Sequence, residues 1–186
     1  MRLIIAAVLG GIVMFMWGAV SHMVIGIGDS AMKPMPNEAA VTAAMKSNLT
    51  EPGMYFLPGM DMTKTVTAEE QAAWTAKYKE GPTAMVIYHP TGEDVMSPRQ
   101  FATELGSNIA AALIVGMILT FAAVSFGRGV IISTLIGLAS WLSINVSYWN
   151  WYRFPDVFTF GELIEQVAGW FLTGLVLAFV LKKRSL

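Results

Sequence analysis

The sequence predicts a membrane all-α protein: a four-helix transmembrane bundle with a small extracytoplasmic α+β cap inserted between helices 1 and 2. Three observations predict it. Hydrophobic residues make up 55% of the 186-residue chain and charged residues only 13%, with a mean hydropathy of +0.56, well away from the balance of a soluble domain. The apolar residues gather in four runs, LIIAAVLGGIVMFMWGAV (3–20), IAAALIVGMILTFAAVSF (109–126), VIISTLIGLASWLSI (130–144) and VAGWFLTGLVLAFVL (167–181). The polar remainder is concentrated in one stretch between the first two runs.

The first two runs are long enough to cross roughly 30 Å of hydrocarbon at about 1.5 Å per residue, and the other two become so when extended through neutral neighbours. Helix 1 occupies 1–28. Arg2 ahead of an apolar core, with AVS at 19–21, loosely imitates a signal peptide, but the run outlasts a usual signal core and is read as an uncleaved anchor. Helix 2 occupies 98–127, and its start is marked by MSPRQ: Ser97 as N-cap, Pro98 in the first turn, Gln100 three residues on. Helix 3 occupies 129–150, helix 4 occupies 158–182, and 183–186 form a tail.

The cap, 29–97, carries its own local signals. Asn37 after Pro36 is a plausible N-cap for a short helix to Ser47. EPGMYFLPG brackets a four-residue apolar strand with Pro and Gly. Thr67 with Glu70 forms a capping box, and Gly81 ends the helix that follows. Thr83 to Tyr88 reads as a second strand, able to pair with MYFL under the helix that carries Trp74. Two short strands are marginal by themselves, so this cap is expected to rest on other surfaces for part of its core.

Charge placement predicts the threading. Arg2, Arg128, Lys182, Lys183 and Arg184 flank the ends assigned to the cytoplasm, whereas every Asp and Glu lies between Asp29 and Glu104 or between Asp156 and Glu165. The positive-inside rule then puts both termini in the cytoplasm and the cap outside it. The absence of cysteine excludes a disulfide scaffold and thiol chemistry.

Chemistry is sparse. Polar residues recur in the outer halves of all four helices: His22, then Glu104 and Asn108, then Asn145, then Glu162, Glu165 and Gln166. Ionisable groups at membrane depth are costly and tend to face a bundle interior or a wet cavity. Glu162, Gln166, Gly169 and Thr173 share one helical face, and Glu104 and Asn108 are four apart. One outward-opening polar pocket would explain them. Simple hydration among headgroups is the competing reading, taken here for His22 and Glu104, while burial is taken for Asn145 and Glu165.

NVSYWNWYRFPDVF (145–158) sets Tyr148, Trp149, Trp151, Tyr152, Arg153 and Phe154 at the outer end of helix 3. An aromatic belt is the default for such rings. Arg153 is expected to pair with Asp156 or Glu162 and fix the hairpin, an anionic headgroup being the competing partner. Small residues at Ala7 and Gly11, and at Ser133 and Gly137, suit close helix packing within the bundle or in a dimer.

No metal site is assigned. Met32, Met35, Met60 and Met62, with His89, are weak soft-ligand candidates, but methionine also fills irregular cores. No Glu-x-x-His pair marks a di-iron site, and His22 alone does not argue for haem, so the cofactor is left unknown. There is no Walker loop, HExxH or basic nucleic-acid patch, and no catalytic signature.

FMWGAVSHMV, PNEAAVTAAMKSNLTEPGMYFLPGMDM, GPTAMVIYHPTG and SINVSYWNWYRFP together resemble a bacterial family of small four-helix inner-membrane proteins. The resemblance implies a bacterial inner-membrane setting and carries no activity. The topology is also similar to claudin-like proteins, whose tryptophan and paired-cysteine signature the first loop lacks. The sequence therefore leads to a non-enzymatic accessory subunit that docks on a larger membrane complex, or self-associates, through its cap and aromatic rim. The alternative is a binding or transport protein that holds a lipophilic molecule, lipid headgroup or metal in the outer pocket.

Overall fold

Two serine and threonine capping boxes, one antiparallel strand pair and four long apolar helices organise the chain. The computed structural model describes residues 1–61 and 63–182. Met62, weighed above as a thioether ligand, and the tail 183–186 with its basic residues lie outside the described residues. The chain divides into a helical unit, Met1–Lys33 with Val95–Leu186, and a second unit, Pro34–Asp94.

The helical unit contains α1 (Arg2–Val20), α4 (Pro98–Phe121), α5 (Phe126–Ser140), α6 (Val146–Tyr152) and α7 (Asp156–Leu181), while α2 (Glu38–Asn48), α3 (Ala68–Glu80), β1 (Gly53–Leu57) and β2 (Ala84–Tyr88) belong to the second unit. Two π-helical turns, Ser21–Ile25 after α1 and Trp141–Asn145 between α5 and α6, keep those helices continuous. Four stretches are thus long and apolar enough to cross a membrane: Arg2–Ile25, Pro98–Phe121, Phe126–Tyr152 and Asp156–Leu181.

Local chemistry sets the ends. At α4, Ser97 Oγ accepts from Gln100 N at 3.3 Å while Ser97 N donates to Gln100 Oε1 at 2.8 Å, with Pro98 in the first turn. The first π turn stops at Gly26, whose φ of 73° only glycine adopts without strain. Arg153 takes φ 58° at the end of α6, and Pro155 precedes α7. The third span thus continues as helix through most of the aromatic segment, to Tyr152, before it turns.

The helices are arranged as α4–α1–α7–α5, with α7 lying against both α1 and α5. Within hydrocarbon, apolar burial gives helices little reason to associate, so close packing and interhelical polar contacts decide. Both are present in this bundle. A Cβ added at Gly137 would lie 2.5 Å from Gln166 O and 2.9 Å from Trp170 Cβ; at Gly174, 2.6 Å from Ser133 Cβ; at Gly11, 2.6 Å from Ile109 Cα. Ala7 and Ser133 are buried as well. The small residues flagged in the sequence serve internal seams. Thr173 Oγ1 donates to Gly10 O at 3.4 Å. Two indoles brace the same helix: Trp17 Nε1 donates to Glu165 O at 3.1 Å and Trp141 Nε1 to Thr159 O at 2.7 Å. Ala6, Ala112, Val115, Leu119, Trp170 and Leu177 form the buried core.

The edge between α4 and α5 is different. A short turn joins these helices, yet they scarcely touch. The ring of four is open on that side.

In the second unit β1 and β2 are antiparallel, with Gly53 opposite Tyr88 and Leu57 opposite Ala84. The predicted capping box of α3 is formed: Glu70 N donates to Thr67 Oγ1 at 3.2 Å and Thr67 N to Glu70 Oε2 at 2.8 Å. The Thr67 backbone and hydroxyl hold the Glu70 carboxyl below the usual carboxylate range. Trp74 reaches the end of β1 through its Nε1, which donates to Pro58 O at 3.0 Å. Asn37 does precede α2, but it lies at φ 49° and makes no side-chain cap, because a left-handed residue aims its side chain away from the first-turn amides. Tyr88 is the one buried residue among those described in 34–94, and Met54, Phe56 and Ile87 are exposed on one sheet face.

Candidate binding cleft in the helical unit

The open edge of the bundle leads into a cleft of about 900 Å³ lined from α1, α4, α7, the last residue of α5, the turns after α1 and α5, and Val95 and Met96 just before α4. Six of the seven polar residues singled out in the sequence line it: His22, Glu104, Asn108, Glu162, Glu165 and Gln166. The seventh, Asn145, reaches it indirectly, its Nδ2 donating to Glu162 Oε2 at 3.5 Å.

Each side chain has a local cause for its place. His22 sits on the π turn Ser21–Ile25, half exposed, with Nε2 3.9 Å from Glu165 Oε1. That separation is an ion-pair distance and too long for a hydrogen bond. Glu104 and Asn108 are one helical turn apart on α4, and Asn108 Nδ2 donates to Glu104 Oε1 at 3.1 Å. Glu104 is exposed on the open side. On α7, Glu162, Glu165 and Gln166 fall on one side of the helix by their spacing of three and four. The Trp17 indole bonded to the Glu165 carbonyl fixes that turn against α1. Glu165 Oε2 is buried and accepts no hydrogen bond.

Sequence reasoning missed the apolar half of the cleft. Met14, Phe15, Phe101, Ala111 and Trp170 line its deeper and lateral walls, and Gln100, read only as a helix-start residue, also faces it. It missed both π turns, which deliver His22 and Asn145. Such turns are rare and often mark functional sites. The sequences SHMVI and WLSIN carry no proline or other breaker that would reveal them.

The aromatic rim forms a separate feature. Tyr148 stacks on Phe154 at 5.5 Å and lies 5.8 Å from Tyr152, and Phe154 is 5.3 Å from Phe158. Trp151 is 72% exposed, the most exposed tryptophan or tyrosine of this segment. Trp149, Arg153 and Asp156 border a shallow cavity of about 520 Å³. The pair expected between Arg153 and Asp156 or Glu162 does not form. Asp156 Oδ1 accepts from Trp149 Nε1 at 2.8 Å and Glu162 from Asn145, while Arg153 makes no ion pair among the described residues. A left-handed turn at Arg153 separates it from carboxylates close in sequence.

The weak metal candidates are dispersed. Met32 and Met35 are exposed, and His89 borders a cavity of about 590 Å³ beside Met45, lined by neither Met35 nor Met60. Among the described residues no three His, Cys, Asp or Glu side chains converge closely enough to hold a metal ion. Comparison with protein-family models, curated proteins and solved structures finds no match.

Proposed function

We propose that this chain is a multi-pass protein of the bacterial inner membrane that binds a small lipophilic molecule in the cleft between its helices. In this reading both termini are cytoplasmic and the 34–94 unit is periplasmic, in line with the basic residues Arg2, Arg128 and Lys182 at one set of helix ends. The observation that carries the binding role is the convergence of six polar side chains from three spans on one cleft whose remaining walls, Gln100 and Ser140 aside, are apolar. Mixed lining of this kind suits a ligand with an apolar body and a polar end. Binding or transport is the reading taken here, since among the described residues no three His, Cys, Asp or Glu side chains gather as a metal set.

Native mass spectrometry of the protein gently extracted from its own membrane tests the proposal. A small bound mass is expected, and Glu165→Gln and Asn145→Ala should lose it. Full retention of that mass by both variants would overturn the cleft as its site.

The exposed Trp151 favours a second reading, docking on a larger membrane complex or on another copy. The same spectrum would then show a stoichiometric second polypeptide or a dimer, released by Trp151→Ala and unaffected by the cleft variants.

A further inference from the structure

We infer that the cleft takes an amphiphile with a cationic, hydrogen-bond-donating head, and that the ligand reaches it sideways from the lipid phase between α4 and α5. This rests on the binding role proposed above and adds the charge of the ligand and its route.

The charge follows from what lines the cleft. Glu104, Glu162 and Glu165 contribute three carboxylates, and His22 is the other ionisable side chain; no lysine or arginine lines it. The hydrogen bonds that Glu104 and Glu162 accept there come from the neutral amides of Asn108 and Asn145. Glu165 Oε2 is buried with no donor at all. A buried carboxylate oxygen without a donor is expensive, and a charge-assisted N–H donor is the strongest remedy. An anionic or acceptor-only head would leave Glu165 Oε2 without a donor.

The ligand body follows from the other walls. Met14, Ala111 and Trp170 offer an apolar surface that a hydrated inorganic ion cannot use. The acidic and imidazole groups also fail to converge as a metal-binding set among the described residues. An ammonium or similar head on a hydrocarbon chain satisfies both halves of the lining.

The route follows from the helix arrangement. α4 contributes Glu104 and Ala111 to the cleft, and the segment after α5 contributes Ile144. These two walls belong to helices that scarcely touch, and Ile144 and Glu104 are exposed. The opening therefore lies between two spans, where an acyl chain is already at home.

The test is a competition on the full chain in phosphatidylcholine nanodiscs, read by native mass spectrometry. Hexadecylamine, hexadecanol and hexadecanoic acid are offered together, with butylamine in a second series. Hexadecylamine should be retained at one per chain, with the alcohol and acid about tenfold or more weaker, and Glu165→Gln and Glu162→Gln should each cut amine retention about tenfold. Both substitutions are isosteric, and the comparison among probes on the unaltered protein stands even if a variant fails to fold. Equal retention of amine and alcohol, unaffected by either substitution, would overturn the cationic head and leave the cleft itself standing. Displacement by butylamine at the same concentration would overturn entry from the lipid phase. Retention of none of the long-chain probes would overturn the binding role beneath both.

Discussion

Along α7 the helices meet with glycine against backbone, while between α4 and α5 they hardly meet at all. The two edges belong to one bundle, and all four spans are apolar enough to cross a membrane. What separates them is residue size and polar bracing. Gly137, Gly169 and Gly174 let neighbours approach so closely that a single added carbon would fall inside van der Waals contact. Trp17 and Trp141 then donate to α7 carbonyls from opposite sides. The α4–α5 edge has neither device, and carboxylates collect beside it. Where packing is given up, polar chemistry becomes possible.

This contrast can be broken most severely at the seam. Gly137→Val forces a branched side chain onto the Gln166 carbonyl and should destabilise the bundle by about 3 kcal/mol, near the upper end of the overpacking range; thermal unfolding in mild detergent would show it. A subtler contrast uses adjacent residues. Ala112 is 1% exposed in the core, so Ala112→Leu should cost about 2 kcal/mol, whereas Ala111→Leu extends into the cleft and should cost under about 1 kcal/mol. Equal losses would mean that the open edge is packed after all. Trp17→Phe keeps an aromatic ring of smaller size and removes the bond to Glu165 O; a loss of at least about 1 kcal/mol is expected by the same measurement. Glu104→Gln, on the exposed wall, should leave stability within about 0.5 kcal/mol, and any effect should appear in ligand retention.

How much of this the sequence discloses depends on how local each cause is. The capping boxes at Thr67–Glu70 and Ser97–Gln100 are closed by residues three apart, and both were legible. The strand pair was legible because Pro and Gly punctuate it on each side. Four helices long and apolar enough to span a membrane were legible from composition. Their order was not, since helices apolar all round give no stripe that names a partner. The polar residues of the cleft stood out because charge is conspicuous in an apolar run. Met14, Ala111 and Trp170 did not, being ordinary there. Arg153 misled because proximity in sequence does not reveal a left-handed turn, and Asn37 for the same reason. The π turns were invisible, because an i→i+5 hydrogen bond leaves no side-chain signature.

The helix α4 has a lopsided set of neighbours. It lies along α1, meets α7 lightly and scarcely meets α5. Its anchorage lies on one margin, where Gly11 closes on Ile109, and in the core, where Ala112, Val115 and Leu119 meet Trp170 and Leu177. The α4 wall of the site thus has fewer neighbours than its floor on α7, which two tryptophans brace. The site's acidic groups are thereby shared between two differently anchored helices, Glu104 on the sparsely flanked α4 and Glu162 and Glu165 on the braced α7.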